Sequence, residues 1–130
     1  MRRSLLVLAL LGACDRGRPA TPTIAVLASA PHYKVELAAC TAPCEPTLVF
    51  TGLAGYKVNA DYPHRWIPDA ASAEAAPGPG TFTQPAKTVG ALRVPVRTGT
   101  TRVTGKVKLA VCTDEQCKIE EPAIAFDVPR

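Results

Sequence analysis

The sequence predicts an all-β domain, an antiparallel sandwich, and three observations predict it. Apolar and polar residues alternate with period two along six or more short segments. Turn-forming residues separate those segments at short intervals. The only helix-compatible stretch, Asp69 to Ala76, has Asp69 as a candidate N-cap but no apolar stripe, and Pro77 stops it after two turns.

Each element follows from local pattern. Thr23-Ile24-Ala25-Val26-Leu27 reads either as part of an Ala-, Pro- and Thr-rich tether or as a first, loosely paired strand. In "YKVELAA", Tyr33, Val35 and Leu37 share one face, and Lys34 and Glu36 the other. "TLVF" (Thr47 to Phe50) and "GYKVNA" (Gly55 to Ala60) are short strands. "ALRVPVR" sets Leu92, Val94 and Val96 against Arg93 and Arg97. The clearest case is "TRVTGKVKLAVC", with Val103, Val107, Leu109 and Val111 on one face and Arg102, Thr104, Lys106 and Lys108 on the other. "PAIAFDV" repeats the alternation through Ile124, Phe126 and Val128. Such strands have one wet face. Seven or so of them at this spacing are the pattern of an immunoglobulin-like β-sandwich, with a small closed barrel as the alternative. The antibody hallmark of a buried tryptophan between widely separated cysteines is absent, and Trp66 falls in a loop-like stretch, so "immunoglobulin-like" describes architecture only.

The N-terminus specifies an address. "MRRSLLVLALLGAC" has a basic start (Arg2, Arg3), an apolar run from Leu5 to Leu11 and small residues before Cys14. This is the layout of an export signal, with an apolar run too short to span a bilayer. Leu11-Gly12-Ala13-Cys14 resembles the lipobox of bacterial lipoproteins. The resemblance implies lipidation of Cys14, cleavage before it, and stable anchoring by two or three acyl chains. The expected organisation is a signal peptide over 1–13, the lipidated cysteine and a tether over 14–30, and the sandwich over 31–130. The expected location is the bacterial cell envelope, facing the periplasm or the cell surface. Loss of Arg2 and Arg3 from 15 basic residues against 11 acidic ones lowers the net charge from +4 to +2. With no basic run, nucleic acid is not an expected partner.

Five cysteines are an awkward number in an oxidising compartment, and lipidation of Cys14 leaves an even four. Four allow three connectivities. Cys112 and Cys117 flank a hairpin loop, Thr113 to Gln116, whose ends should lie opposite each other about 4.5–5.5 Å apart. Cys40 and Cys44 close a tighter turn containing Pro43. By chain entropy a local bridge contributes about 2 kcal/mol, while a bridge between the two regions would contribute about 4. Hairpin geometry favours the local pairs, Cys112–Cys117 and Cys40–Cys44. Reactive thiols need cationic surroundings. Here Asp114, Glu115, Glu120 and Glu121 outnumber Lys118, and Glu45 adjoins Cys44, so both pairs read as structural disulfides.

"VCTDEQCKIEEPAIAFDV" (Val111 to Val128), after an alternating strand, resembles the closing hairpin of the N-terminal periplasmic domain of the thiol:disulfide interchange protein DsbD. That resemblance implies an immunoglobulin-like fold in which Cys112 and Cys117 relay electrons to periplasmic partners. "GYKVNADYPHRWIP" (Gly55 to Pro68) resembles a segment of small lipoproteins of myxobacterial type that end in the same hairpin. The sequence departs from the interchange pattern after the second cysteine, where Lys118-Ile119-Glu120-Glu121 stands in place of proline.

Other chemistry finds little footing. Four thiolates could hold zinc, but closely spaced pairs in an exported chain are the pattern of disulfides, so no metal or cofactor is expected. His32 and His64 read as surface or turn residues, and Asp61 and Asp69 flank His64 at uninformative spacing. No nucleophile is singled out, and Gly78 and Gly80 match no phosphate loop. Tyr56, Tyr62 and Trp66 read as core or loop packing before an exposed aromatic patch. The resulting expectation is a lipid-anchored, non-catalytic binding or structural module with a protein partner in the envelope. Its alternative is a thiol–disulfide relay at Cys112 and Cys117.

Overall fold

In a computed structural model, the described residues are 23–39 and 45–129. Ten strands run through them: β1 (Thr23–Ala30), β2 (Tyr33–Ala38), β3 (Thr47–Gly52), β4 (Lys57–Val58), β5 (Arg65–Pro68), β6 (Thr81–Ala86), β7 (Val89–Arg93), β8 (Arg102–Cys112), β9 (Cys117–Glu120) and β10 (Ala123–Asp127). They form two antiparallel sheets. The first has the order β1-β2-β3-β7-β6. The second is built on β8, with β5 and β4 along one side and β10 and β9 along the other. The chain is an all-β antiparallel sandwich.

Alternation explains the layering. In β8, Val103, Val107, Leu109 and Val111 are fully buried, while Arg102, Thr104 and Lys106 turn outward. They meet Val35, Leu48, Phe50 and Leu92 from the first sheet in one apolar core. β9 and β10 keep a single register against β8, and Val107 N–H donates to the Pro122 carbonyl at 3.2 Å between them. The pair is therefore one long strand, interrupted by Glu121 and Pro122.

One open alternative is resolved and two sequence expectations change. Thr23 to Leu27 takes the strand alternative: β1 begins at Thr23, so the sheet starts ahead of residue 31. Trp66 is not in a loop; it lies in β5, 2 % exposed, with its ring edge-on to Phe126 at 6.1 Å. Gly105 makes this possible, because a Cβ there would stand 2.6 Å from Trp66 Cζ2 and 2.5 Å from the Ile67 carbonyl oxygen. His64, two residues earlier on the same face, is also buried rather than on the surface, stacked on Phe82 at 4.2 Å. The stretch after Asp69 forms a single 3₁₀ turn, Ala70–Ser72, and the Asp69 side chain makes no capping hydrogen bond. β6 contains Pro85 at a register shift on the sheet edge, where a missing N–H breaks no internal ladder.

Candidate functional site

β8 ends at Cys112, Thr113 to Gln116 make the turn, and β9 starts at Cys117. Cys112 and Cys117 are joined by a disulfide, with Cα atoms 4.0 Å apart. This is one of the two local pairs expected from spacing. Opposed residues of this kind approach most closely at a non-hydrogen-bonded pair, and the adjoining pair carries the hydrogen bond: Thr113 N–H donates to the Gln116 carbonyl at 2.8 Å. Thr113 Oγ1 accepts from the N–H groups of Glu115 (3.3 Å) and Gln116 (3.2 Å). The turn thus closes through its own hydrogen bonds as well as through sulfur. Cys14, Cys40 and Cys44 lie outside the described residues.

The hairpin has two faces. Val111 is buried, so Cys112 and Cys117 project outward. Cys117 is exposed and Cys112 half-buried. Lys57 stands in register across from Cys112 on the other flank of β8, and Ile119, 59 % exposed, follows Cys117 on the same face. Gln116, Lys118 and Glu120 take the opposite face, toward the first sheet. Gln116 Nε2 donates to the Tyr56 hydroxyl at 3.0 Å, and Lys118 Nζ lies 5.8 Å from the Tyr56 ring centroid. His32 Nε2 is 2.7 Å from Glu120 Oε1, and the His32 ring packs against Tyr33 and Tyr56. Burial and the Glu120 charge push the Tyr33 hydroxyl above its ordinary pKa.

Sequence reasoning found the cysteines and missed Lys57. The charge balance read from neighbours in the chain counts Lys118 alone, whereas strand pairing brings a second cation from β4 to the sulfur-bearing face. Only a register could have revealed it. His32 was likewise unassigned, because its partner Glu120 is distant in sequence. Of the other candidates, Trp66 and His64 went to the core, and Tyr62 packs edge-on to His64 at 5.2 Å. Among the described residues no three His, Cys, Asp or Glu side chains converge as a metal site.

The hairpin and the N-terminal end of β1 lie toward opposite ends of the sandwich. Ala30 pairs with Tyr33 at the turn that carries His32 to Glu120, while Thr23 pairs with Ala38 at the far end. What the geometry offers chemically is an accessible disulfide at the end distant from the incoming chain. Set against known protein families, curated proteins and solved structures, the chain matches none.

Proposed function

We propose that the chain is a lipid-anchored protein of the bacterial cell envelope whose immunoglobulin-like sandwich binds a protein partner without catalysis. Support for the anchor comes from the export-signal layout and the lipobox-like run ending at Cys14. The observation that carries the binding role is the hairpin itself. Its turn is closed by a backbone hydrogen bond and by the Thr113 hydroxyl, braced by Cys112–Cys117, and fixed to the β3–β4 loop through Tyr56 and to the β1–β2 turn through His32. A rigid, exposed projection distant from the membrane-proximal end suits presentation to a partner.

A second reading, thiol–disulfide interchange, is favoured by one observation: Cys117 is exposed, with Lys57 across from its mate. A partner thiolate would attack Cys117 Sγ, breaking the S–S bond and releasing Cys112 as a thiolate near that cation. A second partner thiol would then displace Cys117, leaving this chain a dithiol and the partner oxidised.

Equilibration in glutathione buffers, followed by alkylation and mass spectrometry, separates the two. A brace should show a reduction potential below about −300 mV, and an interchange pair one between about −120 and −270 mV. The same spectra report acylation at Cys14. An unmodified N-terminus would remove the anchor.

A further inference from the structure

The outward face of the β8 sheet carries a cluster of like charges. Arg102, Lys106 and Lys108 project from β8, Arg65 from β5 and Lys57 from β4. Asp127 and Glu121 are engaged there, Asp127 with Arg102 at 3.0 Å and Glu121 with Lys108 at 3.6 Å, while Asp69, whose N–H donates to the Thr104 carbonyl at the end of β5, is exposed and in no ion pair among the described residues. Among the described residues no ion pair holds Lys57, Arg65 or Lys106. All three are exposed.

Edge protection does not account for the whole of this arrangement. Arg65 and Lys108 are direct cross-strand partners, a placement of like charges that opposes sheet formation. Lys106, diagonal to Arg65, adds a third cation. Cations often guard sheet edges against stray pairing, and Lys57 and Arg65 do stand on the flanking strands β4 and β5, but Lys106 and Lys108 stand on the central β8, which has no free edge to protect. A wet face needs polar residues, and mixed signs would serve it better. Successive outward positions on a strand lie about 6.8 Å apart, inside the Debye length of about 8 Å at physiological salt, so Arg65, Lys106 and Lys108 reinforce one another, while Lys57 stands two such steps along, beyond Ala110.

We propose that this face docks a protein surface rich in carboxylates, with Lys57, Arg65 and Lys106 as its principal contacts. Charge complementarity sets the occupant's sign. Its class is argued from the apolar step at the end of the stripe, where Ile119 is 59 % exposed beside the disulfide. A cationic field bordered by one exposed aliphatic side chain matches the mixed polar and apolar character of protein interfaces. A bilayer would meet the tether first, and the disulfide end of this face is distant from Thr23. The inference rests on the binding-module reading above.

The test uses the full chain with polyglutamate as a carboxylate probe and phosphatidylglycerol vesicles as a lipid probe, each titrated at two salt concentrations. Polyglutamate should bind with salt-sensitive affinity, weakened tenfold or more in the R65E/K106E variant. K34E/R93E makes the same change in net charge on the outer face of the first sheet and should weaken it at most twofold. Backbone amide shifts should map to β4, β5 and β8. Equal weakening by both variants, tighter binding to vesicles than to polyglutamate, or no binding to either would overturn the proposal. A disulfide potential in the interchange range would overturn the brace but leave polyglutamate binding intact, so the two failures are distinguishable.

Discussion

His32, on the turn between β1 and β2, meets Glu120 of β9 at 2.7 Å and so ties the two sheets together beside the disulfide. β9 is an edge segment held to the body of the domain by β8 on one side only. We expect Glu120→Ala to speed amide exchange across Cys117–Glu120 severalfold while lowering global stability by no more than about 1 kcal/mol, as for other half-exposed pairs. Hydrogen exchange read by mass spectrometry checks this. Unchanged protection in β9 would mean the pair does not hold the hairpin down.

Mild acid should weaken the fold through His64. His64 is buried against Phe82 and Phe50, and burial holds its pKa below the ordinary 6.5. The unfolded chain therefore takes up the proton first. Stability is fully present above about pH 6.5 and declines as pH falls below it, by at most about 1.4 kcal/mol per pH unit, until the folded form also titrates. Urea melts between pH 7.5 and 5 should show the decline, and His64→Phe should flatten it. A slope that survives the substitution would assign the effect elsewhere.

Gly105→Ala should be costly for a single methyl group. The new Cβ would fall 2.5 Å from the Ile67 carbonyl oxygen and 2.6 Å from Trp66 Cζ2, and the backbone atom has least room to yield. A loss of about 1–3 kcal/mol is expected, with a change in Trp66 fluorescence as the indole shifts. A melting temperature equal to that of the parent would show that β5 can move away from β8.

Removing the disulfide should be mild. The bridge spans a sequence separation of 5, so C112S/C117S should fold and lose about 2 kcal/mol by chain entropy. Chemical denaturation with both forms fully oxidised or replaced measures it. A loss of 4 kcal/mol or more would mean the bridge also shapes the native hairpin.

Long, strictly alternating strands were legible in the sequence, and short or irregular ones were not. β8 declares itself over eleven residues, and β2 and β10 over six and five. β5 has only four residues, between Pro63 and Pro68, too few for a period to emerge. Its Trp66 is buried by a glycine on the neighbouring strand, a complementarity that no local window contains. The disulfide was readable because hairpin geometry is local. The cationic surroundings of Cys112 and the His32–Glu120 bridge depend on pairing between distant segments, so they became visible only with the register.

The position of β8 in the order of synthesis has a consequence of its own. β4 and β5 gain their ladder only from a strand that begins at Arg102, and the apolar side of the first sheet is roofed by that same strand. A nascent chain therefore emerges with most of its hydrophobic residues made and nothing to cover them, a species inclined to aggregate. Holding by a chaperone until β8 arrives would let collapse occur once, around a finished spine.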